Sequence, residues 1–88
     1  MKIKKQFVMR TIAGETLLVP VGATTREFNG MITLTETAGF IWENLEKCET
    51  EEELVKLILG EFEVDEATAA ADAHEFLEEL RKMDMIEG

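Results

Sequence analysis

The pattern of apolar and polar residues changes character near residue 35. Before that point, runs of β-forming residues are broken by turn residues, and 6–13 and 16–21 read as strands joined at Gly14-Glu15. Pro20 lacks an amide hydrogen, so the second strand ends near it or leaves that side unpaired. Residues 22–29 are polar and turn-rich, Asn29-Gly30 is a strong turn signal, and 31–34 gives a short third strand. Links this short between three strands predict an antiparallel meander.

From Thr35 onward the apolar positions take helical spacing. Thr35 has an N-cap side chain, and Ala38, Ile41, Trp42 and Leu45 follow at i, i+3, i+4 and i+7, which predicts a helix over 36–47. Thr50-Glu51-Glu52-Glu53 is a capping-box sequence that opens a second helix over 51–62. Gly60 weakens the last turn of that helix by about 1 kcal/mol relative to alanine. Asp65 caps a third helix over 66–83. The order β-β-β-α-α-α predicts an α+β fold, a three-stranded antiparallel sheet followed by three helices, in one domain over 1–88.

The third helix is apolar over a wider arc than the roughly 100° a simple surface helix needs. Its bulk is graded: five of the seven residues over 67–73 are alanine, and Phe76, Leu77, Leu80 and Met83 follow. Small residues at the start of a helix leave a shallow channel beside whatever it packs on, and larger ones anchor it. Alanine is also the best helix former, which explains the same run without any channel. The strand over 31–34 carries no charge and forms an outer edge of the meander, with unpaired backbone donors and acceptors. Such an edge accepts an added strand from another chain.

Composition narrows the chemistry. The 88 residues are 45% apolar and 32% charged, a globular balance. Serine and tyrosine are absent, and there is one cysteine, one histidine and one tryptophan. That inventory excludes a serine nucleophile, a serine-linked prosthetic arm, an internal disulfide and a Cys/His zinc site, so neither a metal nor a cofactor is expected. The net charge is −10: residues 1–30 carry five bases and two acids, whereas 31–88 carry four bases and seventeen acids. An acidic helical half repels phosphate backbones, so nucleic acid is not expected as a ligand. No apolar stretch approaches the roughly 18–20 residues that span a bilayer, so no membrane partner is expected either. Lys2, Lys4 and Lys5 are not followed by a signal-peptide core, and with an unpaired Cys48 the chain reads as cytoplasmic.

Three segments carry a resemblance. Leu34-Thr35-Glu36-Thr37-Ala38-Gly39-Phe40-Ile41-Trp42 is similar to the Leu-Asn-Glu-Thr-Ala-x-x-Ile-Trp signature of the PqqD-like family, named for protein D of pyrroloquinoline quinone biosynthesis. Residues 50–54 through 61–65 are similar to that family's capped helix and Tyr-Asp-Val-Asp-like segment, and Asp72, Phe76, Leu77 and Leu80 fall at its Asp-x-x-x-Phe-Leu-x-x-Leu spacing. Together they cover 34–86, in order. The resemblance implies a winged-helix-like recognition element for ribosomally made, post-translationally modified peptides. Such an element binds the leader of a precursor peptide by strand addition and presents it to a modifying enzyme, commonly a radical S-adenosylmethionine protein, without chemistry of its own. By position it implies a groove with Met31, Ile32, Thr33 and Leu34 on one wall and Ala69, Ala70, Ala73, His74, Phe76 and Leu77 on the other. Alternation leaves open which strand side chains face the peptide. The chain departs from the family at Thr35, for asparagine, and at Asp84, for a glycine near the C-terminus that would end the helix in the left-handed conformation.

The remaining candidates read as structural. Trp42 lies on the apolar stripe of the first helix, Cys48 has no second cysteine or nearby histidine, and the acids at 51–53 suit a helix's first turn. Two other functions fit the element order. A winged-helix regulator would present the acids at 51–53 and 61–66 to DNA with the wrong sign, and a structural module would self-associate through the open edge as a persistent dimer, whereas the peptide-binding reading expects a monomer or weak dimer.

Overall fold

In a computed structural model, which describes residues 1–28 and 30–87, ten short elements follow one another. They are β1 (Lys2–Ile3), β2 (Phe7–Ile12), β3 (Glu15–Pro20), a 3₁₀ turn (Gly22–Arg26), β4 (Ile32–Leu34), α1 (Glu36–Asn44), a second 3₁₀ turn (Leu45–Lys47), α2 (Glu51–Glu61), α3 (Glu66–Lys82) and β5 (Ile86–Glu87). Strands β2, β3 and β4 form the antiparallel meander, in that order, with Val8 opposite Val19 and Leu17 opposite Thr33.

The turn between β2 and β3 lies one residue earlier than its composition suggests. Ile12 pairs with Glu15, so Ala13 and Gly14 form a two-residue loop. Both have positive φ, 52° and 81°, as the tightest hairpins require to follow the twist of their strands. Gly14 takes that conformation freely, while Ala13 is strained by it. The Asn29-Gly30 turn falls partly outside the described residues.

All three helices begin where a side chain can receive an orphan amide. Thr35 Oγ1 accepts from Ala38 N at 3.1 Å, Thr50 Oγ1 from Glu53 N at 3.3 Å, and Asp65 Oδ1 from Thr68 N at 2.8 Å. The Thr68 interactions hold the Asp65 carboxyl below its usual range. Alternation along β3 and β4 turns Leu18 and Leu34 inward. There they meet Ile41, Trp42 and Leu45 of the α1 region, Leu54 and Ile58 of α2, and Ala69, Ala73, Leu77 and Leu80 of α3. Phe7 stands edge-on to both Phe28 and Trp42, with centroids 5.3 and 6.2 Å apart, so Trp42 belongs to the core.

A second sheet has no counterpart in the sequence pattern. β1 and β5 pair antiparallel, Lys2 with Glu87 and Ile3 with Ile86, and Lys4 N donates to Met85 O at 2.8 Å. What aims β5 at β1 is the end of α3. Asp84 N donates to Arg81 O at 3.0 Å and Met85 N to Leu80 O at 2.9 Å, the double bond of a Schellman stop. Asp84 itself takes φ 55°, so an aspartate holds the left-handed position. Its carboxylate lies 2.5 Å from Lys4 Nζ, which lowers its pKa and ties the stop to the residues after β1.

Candidate functional site

The meander places β4 at its rim. β4 pairs with β3 on one side and, among the described residues, with no strand on the other. Each strand of an antiparallel pair points alternate amides and carbonyls away from its neighbour, so β4 offers these groups to an added chain. Three residues of β4 carry no charge, no proline and no bulge to guard it.

Beside that edge runs a groove of about 480 Å³. Ile32, Thr33 and Leu34 form one wall, Thr37, Ala38 and Ile41 at the start of α1 form the floor, and Asp72, Glu75, Phe76 and Glu79 of α3 form the other wall. Local sequence explains each part. The Thr35 cap starts α1 immediately after β4, so Ala38 and Ile41 rise under the strand edge. On α3, positions 72, 75, 76 and 79 recur at i, i+3, i+4 and i+7 and therefore share one face. Half-buried Ile32 and Phe76 give the groove its apolar surface.

The two flanks of α3 differ electrostatically. On the side facing α2, His74 Nδ1 lies 3.1 Å from Glu51 Oε2, and Arg81 lies 2.8 Å from Glu78 and 3.9 Å from Glu51. On the groove side, the carboxylates of Asp72, Glu75 and Glu79 have no basic partner within salt-bridge distance among the described residues. Among the described residues there is also no cluster of His, Cys, Asp and Glu able to hold a metal ion, and no helix long and apolar enough to cross a membrane. Cys48 is buried, which is the main cause raising its thiol pKa, and it lies outside the groove.

Of the residues assigned to the site from the sequence, the structure brings four to the groove: Ile32, Thr33, Leu34 and Phe76. Met31 precedes β4 and is 58% exposed. The other residues expected on the α3 wall do not line this groove. Ala69, Ala73 and Leu77 have no exposed surface, because their side of α3 packs into the core. Ala70 and His74 lie on the far flank, with His74 about 160° around the helix from Asp72. Small residues there let helices approach closely and leave no channel. The acids at 72, 75 and 79 and the α1 floor were missed. Their signal was present: three acids flank Phe76 on one helical face, displaced from the alanine face.

The sequence profile of the family described as coenzyme PQQ synthesis protein D (PqqD) matches residues 13–86. No curated protein sequence matches the chain. A solved structure, TbiB1 in complex with the TbiA(beta) leader peptide, is similar over 100% of this chain and 96% of its own, with a TM-score of 0.72 and 31% identity.

Proposed function

The chain belongs to the family of coenzyme PQQ synthesis protein D, and from that membership and its open groove we propose a peptide-binding adaptor that takes up a precursor's leader. The leader adds a strand to the free edge of β4, lies against α3, and is thereby presented to a modifying enzyme. The observation that carries this reading is the unpaired β4 edge bordering a groove. It is supported by the leader peptide seated on the structurally similar TbiB1.

Magnitudes indicate how such a site works. A three-residue edge supplies two or three backbone hydrogen bonds. At about 0.5–1.5 kcal/mol each, these give roughly 1–4 kcal/mol. Micromolar binding needs about 8 kcal/mol. The difference must come from side chains entering the groove, at about 1.5–3 kcal/mol for each large apolar residue buried. The edge fixes the extended conformation, and the groove selects the sequence.

The finer assignments belong to the same proposal. The adaptor is taken as non-catalytic, in keeping with its membership of the family. Its enzyme partner is of the radical S-adenosylmethionine class, and it acts in the cytoplasm as a monomer or weak dimer. The groove residues are Ile32, Thr33, Leu34 and Phe76, joined by Asp72, Glu75 and Glu79. The test is an amide NMR titration with a synthetic leader taken from a short precursor encoded beside this chain's gene. Shifts at 32–34 and 72–79 are expected. Shifts confined to other regions, or none, would overturn the proposal.

A further inference from the structure

The occupant's chemistry can be read from the groove's charge. We infer that the peptide seated here is cationic on its inward face, with a lysine or arginine two residues from a large apolar side chain; this rests on the docking reading above. The His74–Glu51, Arg81–Glu51 and Arg81–Glu78 pairs of α3 lie away from the groove. Asp72, Glu75 and Glu79 are left facing the open edge instead, all exposed and without basic partners among the described residues. The opposite wall, β4, carries no charge that could answer them. An acidic peptide laid between these walls would meet repulsion, and a basic one attraction.

Geometry sets the spacing. Asp72 to Glu79 spans about 10 Å along the helix axis at 1.5 Å per residue. An added strand directs alternate side chains inward, about 7 Å apart. One inward apolar residue can therefore cover the half-buried Phe76 while its inward neighbour reaches a carboxylate. That gives the pattern apolar-x-basic or basic-x-apolar.

The test selects binders from a random twelve-residue peptide display library on the full chain, and in parallel on D72N/E75Q/E79Q. A control, E52Q/E61Q/E63Q, removes the same charge from exposed positions outside the groove. Wild-type and control selections should enrich the i, i+2 pattern, and the groove variant should lose it. A selected peptide should bind the groove variant a few-fold more weakly, up to about fivefold, the effect of one exposed ion pair, and the difference should shrink at high salt. Circular dichroism checks that the variants fold, and E75K offers a single-site substitute, which should weaken the same peptide. Binders that shift 32–34 and 72–79 but lack cationic bias, or that bind the groove variant equally, overturn this inference and leave the docking reading standing. Binders seated only elsewhere, or no binders, overturn both.

Discussion

Ala73 separates two accounts of α3 in one substitution. The residue has no exposed surface and belongs to the core cluster with Leu54 and Ile58 of α2. Ala73→Leu adds three carbons where none fits, so α3 must shift or neighbouring side chains must leave their rotamers. Overpacking of this kind costs about 1–3 kcal/mol. An 88-residue domain holds roughly 4–13 kcal/mol in total, so the loss is a substantial share. In melting temperature it corresponds to about 4–8 °C for each kcal/mol. The single Trp42, 8% exposed beneath Phe7, reports unfolding directly, and urea titration by its fluorescence gives the free energy. Ala71→Leu on the same helix is the control. Ala71 is exposed and leucine is nearly as good a helix former, so stability should change by less than about 0.5 kcal/mol. If Ala73→Leu left stability unchanged and instead blocked peptide binding, Ala73 would line the groove, and the core assignment of that helix face would be wrong.

Three further outcomes can be checked by the same melts. Gly60→Ala should stabilise by about 0.5–1 kcal/mol, because the exposed site has nothing within 4 Å of an added Cβ and glycine weakens a helix by that amount. Ala13→Asn should also stabilise, by about 0.5–1 kcal/mol, since Asn-Gly suits a loop whose two residues both need positive φ. Asp65 and Asp84 have lowered pKa values in the folded chain, through hydrogen bonds to Thr68 and to Lys4 respectively. Their stabilisation is therefore full above the unfolded carboxyl pKa of about 3.9 and lost as pH falls through the lower folded values. Asp65→Asn keeps a capping oxygen that does not titrate, so its acid unfolding curve should be shallower than the wild type's.

The elements were legible in the sequence where a local rule decided them. Thr35, Thr50 and Asp65 cap helices because their side chains meet amides three residues on, which needs no tertiary information. The uncharged third strand and its place at the rim were legible too, since three strands in a meander must have two edges. The rest depends on long-range packing. β1 and β5 are two residues each, too short to show a period, and exist because Asp84 turns the chain toward residues 2–4. The helical wheel of α3 shows a broad apolar face but not which flank meets which neighbour. Alanines suit close approach between helices as well as an open channel, and here α2 takes that face. The departure at Asp84 left the helix stop undecided, whereas the Lys4 ion pair and two backbone bonds hold aspartate in the glycine-like conformation.

The β1–β5 ladder has a practical consequence. With Lys2 opposite Glu87, the first and last strands are laid side by side, so the molecule is topologically close to a ring. A partner fused ahead of residue 2 and one fused beyond residue 87 would emerge from the same spot on the surface. Bridging that spot with a few residues and reopening the chain at the Ala13-Gly14 loop would give a permuted protein with every strand pair retained.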